Sequence, residues 1–381
     1  ENTNTKYILL SYNNMSDKGN DRSNAKISDS DILRILNKKG KVRIFETDHK
    51  SFSTGKSTIK GNKERLFLCE IDNSFKNKID VPCPFNYTGG KFKLLNQMKP
   101  YFKETKIFLD LFAGGGNVGI NSNSSKVIFN DSNEKLIDLI KYIKKNNTEE
   151  LLKKLDKIIE KYNLSNTSLY GYSYYGCNSS NGLAKFNKEN FLKVREDYNK
   201  SALLGKIDYA LLYILIVFSF NNQIRFNSKG EFNLPVGKRD FNFKMRNKLT
   251  LFSEELKGKD IQFMKDDFRN ISFETLDPNT LIYCDPPYLI TNASYNENGM
   301  WTDSDERDLL EFLDKANDQG FKFALSNVLE SKNRKNTILK QWIKNKGYYC
   351  NYLNKNYSNS SYHRKNKDSI SKEVLVTNYE V

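Results

Sequence analysis

From Pro82 onward, short apolar runs recur at 107–112, 127–130, 261–264, 281–284 and 321–326, with helix-like segments in the gaps. A chain that alternates strand and helix in this way buries both faces of its strands under helices. The expected fold is therefore α/β, a doubly wound and mostly parallel sheet. The clearest helix runs over 303–319. Thr302 can cap it, acidic Asp303, Asp305 and Glu306 sit in its first turn, and Leu309, Leu310, Phe312, Leu313 and Ala316 form its apolar stripe before Gly320. The last two strand-like runs, 347–354 and 373–378, read as a C-terminal β-hairpin around a Ser-, Asn- and Lys-rich loop, 355–372.

The alternation stops between 146 and 259, where the chain is helical, aromatic and basic, and Tyr170, Tyr172, Tyr174 and Tyr175 crowd one loop. This block reads as an insertion that carries specificity. The N-terminal block has a strand-like run at 7–10 and then a polar stretch. A helix with Ser28 as N-cap and Ile32, Leu33 and Leu36 as its stripe follows, stopped by Gly40. Strand-like runs at 42–47 and 65–71 flank a basic loop, 49–63. The expected organisation is an accessory segment at 1–75, a main domain at 76–146 and 258–381, and an insertion at 147–257.

Of the 381 residues, 61 are Lys or Arg and 46 are Asp or Glu, a net charge of +15. That excess favours a polyanionic partner, usually nucleic acid. The five cysteines form no CxxC pair, and His49 and His363 are the only histidines. No zinc-site spacing and no Ser-His-Asp triad can be drawn from them, so no metal is expected. Sparse, odd cysteines suit a reducing cytoplasm. The longest apolar run, 209–220, is too short for a span, which needs about 20 residues. It reads as a buried helix. No signal peptide is visible, and a start at Glu1 rather than Met suggests a piece of a longer chain.

Residues 107–119 read Ile-Phe-Leu-Asp-Leu-Phe-Ala-Gly-Gly-Gly-Asn-Val-Gly. An apolar strand runs into glycines that are expected to open a helix, and glycine lets the backbone turn sharply against a ligand. Gly114, Gly116 and Gly119 fit G-x-G-x-x-G. The next strand ends in Asn130-Asp131, where a carboxylate can accept from two ribose hydroxyls. Together these suggest an adenosine-type cofactor. A tight turn that binds nothing would use the same glycines, and Asp131 could equally cap the helix that starts at Asn133.

Residues 281–288 read Leu-Ile-Tyr-Cys-Asp-Pro-Pro-Tyr. The prolines fix φ and remove backbone donors. The carbonyl ahead of a proline is then a pure acceptor, and with the Asp285 carboxylate it can grip the two hydrogens of an exocyclic amine. Such a grip frees the nitrogen lone pair from ring conjugation, and Tyr288 offers a face for stacking a base. A rigid turn is the alternative. A nicotinamide enzyme would need only the glycine loop, with an acid about 20 residues after it. Asp131 follows Gly119 by only 12 residues, and Asp-Pro-Pro-Tyr would have no role. Methyl transfer to an amino nitrogen uses both motifs.

At this point the sequence resembles the Dam-like DNA N6-adenine methyltransferases over about residues 82–381. Tyr87-Thr88-Gly89-Gly90-Lys91 is similar to their N-terminal Trp-Ala-Gly-Gly-Lys motif, with tyrosine for tryptophan. Residues 110–116 resemble the S-adenosylmethionine loop, Asn130-Asp131 the ribose-binding acid, Asp267-Phe268 the pair flanking the cofactor adenine, and Asp285-Pro286-Pro287-Tyr288 the catalytic motif. This order matches the family's α arrangement. The resemblance implies a Rossmann-like methyltransferase fold with a helical and β-hairpin DNA-recognition insertion. Residues 221–227 and 232–237 resemble the family's DNA-contact segment.

Residues 1–72 resemble the C-terminal third of the same fold. That is the layout of the FokI-type tandem methyltransferases, though an accessory domain is an alternative.

The resemblance implies methylation of N6 of a flipped-out adenine in duplex DNA. Asp285, Pro286, Pro287 and Tyr288 would be catalytic. Tyr87, Lys91, Asp110, Phe112, Gly114, Gly116, Asp131, Asp267 and Phe268 would bind the cofactor, S-adenosyl-L-methionine. Asn222, Arg225, Asn227, Lys229, Lys238, Arg239, Arg364 and Lys365 would meet DNA, since Arg suits guanine and phosphate and Asn suits adenine. A cognate restriction endonuclease is the family's common partner. RNA methylation and a DNA-binding module without catalysis are the competing readings.

Overall fold

The computed structural model describes residues 7–13, 32–33, 36, 40–48, 63–71, 80–87, 89–290, 301–354 and 371–380. The chain divides into two compact units, residues 1–79 and residues 80–381. In the first, β1 (Tyr7–Asn13), β2 (Gly40–Asp48) and β3 (Lys63–Ile71) form an antiparallel sheet ordered β1-β3-β2. Ile32, Leu33 and Leu36 are helical. Ile32 and Leu36 are buried with Phe67 and Cys69, as the stripe predicts. Ser28 and most of the loop 49–63 lie outside the described residues.

The second unit holds an eight-stranded sheet. Its strands are β4 (Ile107–Asp110), β5 (Lys126–Asn130), β6 (Asp260–Met264), β7 (Thr280–Cys284), β8 (Lys322–Ser331), β9 (Arg334–Lys335), β10 (Tyr349–Leu353) and β11 (Lys372–Thr377). The order is β10-β11-β8-β7-β4-β5-β6, with β9 beside β8. The pairs β8-β7, β7-β4, β4-β5 and β5-β6 are parallel, while β11 and β10 run antiparallel at one edge. The expected fold class and the C-terminal hairpin are both present. From β4 the chain builds outward through β5 and β6, then returns to lay β7 on the other side of β4. The order of strands therefore reverses between β4 and β7, where open α/β sheets bind ligands. The path β8, β10, β11 repeats that of β1, β2, β3: in both, the third strand lies between the first two.

One face of the sheet is covered by α1 (Glu134–Lys145), α2 (Thr148–Lys161), α3 (Ala184–Leu203), α4 (Tyr209–Phe218) and α5 (Phe243–Gly258). Asp208 starts α4 by accepting from Ala210 N and Leu211 N. Every residue of α4 from Leu212 to Phe218 is buried, so the apolar run is a core helix, as expected. The helices of 147–257 share one core with α1 and with Val127 and Phe129 of β5. The last of them, α5, leads directly into β6.

One expectation fails at the glycines. They open no α-helix: a single 3-10 turn, Gly119–Asn121, leads almost directly into β5. The nearby amides bond to backbone elsewhere, as Asn side chains do in competition with a helix. Asn117 Oδ1 accepts from Cys83 N at 3.0 Å, and Asn121 Oδ1 accepts from Val81 N at 2.7 Å.

The other face carries α6 (Asp303–Asp318) and α7 (Thr337–Lys346). Thr302 and Asp305 close the expected capping box of α6. Glu306, read from sequence as a first-turn acid, is fully buried. Its Oε1 accepts from Asn327 Nδ2 at 3.1 Å and Asn336 Nδ2 at 2.7 Å, and its Oε2 from Trp301 Nε1 at 2.7 Å. One carboxylate thus joins α6, β8 and the N-cap of α7. Replacing Glu306 by Leu leaves three buried donors without an acceptor and should cost about 2–4 kcal/mol in urea denaturation. Glu306→Gln, which keeps one oxygen, should lose less, and equal stability of all three proteins would contradict the assignment.

Candidate active site

The site is built at the carboxyl ends of β4 and β7. Leu111 N donates to Tyr283 O at 2.9 Å, so the two strands stay paired as they reach it. Beyond β4 the chain turns through Gly114 (φ +50°) and Gly116 (φ +71°), in the left-handed region. A Cβ at Gly114 would lie 2.7 Å from Tyr87 Cδ1, so the Tyr87 ring closes on a backbone that only glycine supplies. Three side chains hold this loop. Asp110 Oδ2 accepts from Gly119 N at 2.9 Å, and Asp131 Oδ2 accepts from Gly114 N at 2.8 Å. Asn130 Nδ2 donates to Leu111 O and Asp266 O, both at 3.0 Å, while its Oδ1 accepts from Asp266 N. Asn130 thus ties the ends of β4, β5 and β6 together.

Asp131 does not cap the following helix. Its Oδ1 accepts from Asn133 N at 2.8 Å, and Asn133 is the N-cap, accepting from Leu136 N. Asp131 instead spans from that turn to the glycine loop. Burial pushes the Asp131 carboxyl up, against its two backbone donors. Asp110 is pushed up to about 7 by burial and then by the charges of Asp285 and Asp131, against the Gly119 amide.

At the end of β7, Asp285 meets Lys91, 194 residues away in sequence. Lys91 Nζ lies 2.7 Å from Asp285 Oδ1 and 2.8 Å from Oδ2, donates to Gly89 O at 2.8 Å, and lies 3.7 Å from Glu373 Oε1. It also sits 4.9 Å from the centre of the Tyr288 ring. The Tyr288 hydroxyl bridges Asp285 Oδ1 at 3.0 Å and Glu373 Oε1 at 3.3 Å. Burial raises the Asp285 carboxyl and the Lys91 ammonium opposes that. Tyr87, Lys91, Asp110, Phe112, Gly114 and Asp285 line one narrow cleft, so the two motifs that are 170 residues apart share a single space. A wider groove of about 360 Å³ along α3, lined by Leu192, Arg195 and Asn199, holds none of them.

Beside the cleft, Phe112 packs 5.5 Å from Phe268, and the Trp301 ring lies 5.9 Å from Phe112 and 6.0 Å from Phe268. Asp267 Oδ1 accepts from Arg269 N, and the Arg269 guanidinium stacks 4.5 Å over Phe268 while pairing with Asp267, Asp305 and Asp308.

A family profile, D12 class N6 adenine-specific DNA methyltransferase, matches residues 87–367. The chain belongs to that family. It is similar to Modification methylase StsI of Streptococcus sanguinis, 36% identical over 408 residues that cover 100% of this chain and 57% of StsI. Its likeness to Type II methyltransferase M.FokI of Planomicrobium okeanokoites is 36% over 405 residues, again 100% and 57%. With DNA adenine methylase of Escherichia coli K12 it shares 26% over 218 residues, 57% of this chain and 69% of that one. The chain thus spans little more than half the length of the first two relatives.

Within this D12 chain, the residues read as DNA contacts lie mostly on the hairpin after α4, where Ser219 pairs with Val236 and Phe226 with Phe232. Arg225 Nε donates to Asn233 Oδ1 at 2.7 Å across the hairpin. Asn227 shapes its turn, accepting from Lys229 N and Glu231 N; Lys229 itself is exposed. Asn222 (φ +53°) donates through Nδ2 to Val217 O, and its carbonyl accepts from Asn86 N, linking the hairpin base to the segment that carries Lys91. Lys238 and Arg239 meet the tyrosine-rich loop, Arg239 Nη1 donating to Tyr172 Oη at 3.1 Å and Lys238 Nζ to Ser180 O at 3.4 Å. Arg364 and Lys365 lie outside the described residues. Among the described residues, no group of three His, Cys, Asp or Glu is placed to hold a metal, and no helix is long and apolar enough to cross a membrane.

Sequence reading missed Glu373, Trp301 and Arg269, and quoted Asn130 only as the neighbour of Asp131. Trp301 and Arg269 adjoin segments already singled out, but nothing local marks Glu373.

The Asp110 shift fixes a pH dependence. A carboxyl raised from 3.8 to about 7 on folding binds its proton more tightly in the folded state. Its stabilisation is complete below the unfolded value and is lost as pH rises through the folded one. Stability of the ligand-free chain should therefore fall between about pH 4 and 7, and Asp110→Asn should make that fall shallower while keeping an acceptor for Gly119. Urea midpoints across this range test it, and an unchanged slope in the variant would contradict it.

Proposed function

We propose that this chain transfers the methyl group of S-adenosyl-L-methionine to N6 of an adenine flipped out of duplex DNA. The observation that carries the reading is the shared cleft: the glycine loop after β4 and the Asp285 motif after β7 open onto one space at the reversal of strand order. The loop suits a cofactor with a charged amino-acid end and an adenosine end. Gly114 keeps the backbone low beneath Tyr87, Asp110 and Asp131 supply carboxyl oxygens, and Phe112, Phe268 and Trp301 form an apolar wall beside Asp267. Asp131 spends two of its acceptor positions on backbone and keeps others for ribose hydroxyls. When bound, the cofactor supplies an electrophilic methyl.

Asp285 then does the chain's part. Its carboxylate, held in place by Lys91 and Tyr288, accepts a hydrogen from the target amine, and the Pro286 carbonyl accepts the other. The Tyr288 ring stacks the base. Fixed acceptors of this kind stabilise charge that develops on the amine without rearranging. Basic residues of the hairpin, with Arg364 and Lys365, would meet phosphates.

We place this activity in the cytoplasm, in a restriction–modification setting with a partner endonuclease, in keeping with relatives named modification methylases. The repeated strand path supports reading residues 7–71 as the closing edge of a preceding methyltransferase sheet.

Asp285→Ala should cut transfer to DNA by at least about a hundredfold. Binding of cofactor and of duplex should stay close to that of the unaltered chain. Asp285→Asn, which leaves Lys91 an oxygen partner, should fold normally and be as inactive. Turnover in either variant within tenfold of the original would remove Asp285 from this role.

A further inference from the structure

Glu373 occupies the first buried position of β11, where the register with β8 slips between Lys372 and Glu373. The run that follows, Val374, Leu375 and Val376, is apolar and fully buried. An apolar residue would continue that run at no cost, whereas a buried carboxylate costs several kcal/mol unless it is well paired. The Glu373 side chain is only 1% exposed, and Lys91 Nζ lies 3.7 Å from it and 2.7 Å from Asp285. Two carboxylates, one ammonium and one phenol hydrogen therefore meet in a single cluster. Behind it stand the Tyr283 phenol and the Asp110 carboxyl.

Resting on the methyltransferase reading above, we propose that Glu373 is a positioning residue that takes up, through the Tyr288 hydroxyl, the proton shed by the target amine. As the nitrogen–methyl bond forms, the methyl–sulfur bond of the sulfonium donor breaks and its electron pair stays on sulfur. The nitrogen is left cationic, and one of its hydrogens passes as a proton to Asp285. The Asp285 proton moves to the Tyr288 oxygen at 3.0 Å as the Tyr288 hydroxyl releases its own to Glu373 at 3.3 Å. The base leaves as a neutral methylamine, Asp285 is ionised again, and Glu373 carries the proton. Lys91 Nζ stays beside both carboxylates, 2.7 Å from Asp285 Oδ1 and 3.7 Å from Glu373 Oε1.

The test is single-turnover methyl transfer to duplex DNA, followed against pH, with the full chain and its Glu373→Gln and Glu373→Asp variants. Glu373→Gln is expected to bind S-adenosylmethionine and duplex as the unaltered chain does and to slow transfer by about a hundredfold. Its acid limb should move to lower pH, because the Glu373 charge helps hold the Asp285 carboxyl up. Glu373→Asp should recover part of the rate. A Glu373→Gln rate within threefold of the original overturns the proposal, and so does a slower rate with an unmoved acid limb, which marks a structural role. An unaltered chain that methylates no nucleic acid overturns both this proposal and the function it rests on.

Discussion

The site depends on one buried ammonium. Lys91 comes from a short segment ahead of the sheet, yet its Nζ reaches the end of β7 through Asp285 and the start of β11 through Glu373. Three stretches of chain far apart in sequence converge on one charge. Without it, two carboxylates would face each other in a dry interior, and breaking such a pair costs about 3–5 kcal/mol. Burial pushes the Asp285 carboxyl up on balance, and the ammonium is the largest influence that opposes the rise. In the proposed transfer Asp285 accepts from the amine as a carboxylate, so the contact that holds the segment in place would also serve that acceptor.

The glycine loop is held by a different logic. Its backbone needs positive φ and the absence of a Cβ beneath Tyr87, and the strand ends around it are pinned by Asp110, Asn130 and Asp131. All three side chains spend oxygens or amide hydrogens on backbone. The loop is therefore shaped ahead of any ligand, and part of the entropy of ordering it has already been lost on folding. The Asp285 charge helps raise the Asp110 carboxyl, and both charges help raise the Cys284 thiol, which makes the two motifs one electrostatic unit.

Much of this was legible in the sequence because it is local. Strands β4, β5 and β7 follow from apolar runs, α6 from its capping box and stripe, and the two motifs from residue types adjacent in the chain. The failures share a cause. The glycines were expected to open a helix, but Asn117 and Asn121 bond to residues 81–83, a contact that no local pattern encodes. Glu306 read as a first-turn acid because its partners, Asn327 in β8 and Asn336 at the start of α7, lie 21 and 30 residues away in sequence. Glu373 read only as the first residue of the strand-like run 373–378, because Lys91 and Tyr288 lie far from it in sequence. A buried ion or hydrogen-bond hub is defined by what folds around it, and periodicity carries no trace of that.

Strands β1, β2 and β3 follow the same path as β8, β10 and β11, and the latter stand in the unit that carries the cleft. The central claim concerns that site. The most direct measurement is transfer of labelled methyl from S-adenosylmethionine to duplex DNA, with RNA of matched sequence in parallel and both digested to nucleosides. The account predicts label in N6-methyldeoxyadenosine from DNA and none from RNA. Label in RNA alone, or bound cofactor with no transfer to DNA, would contradict it.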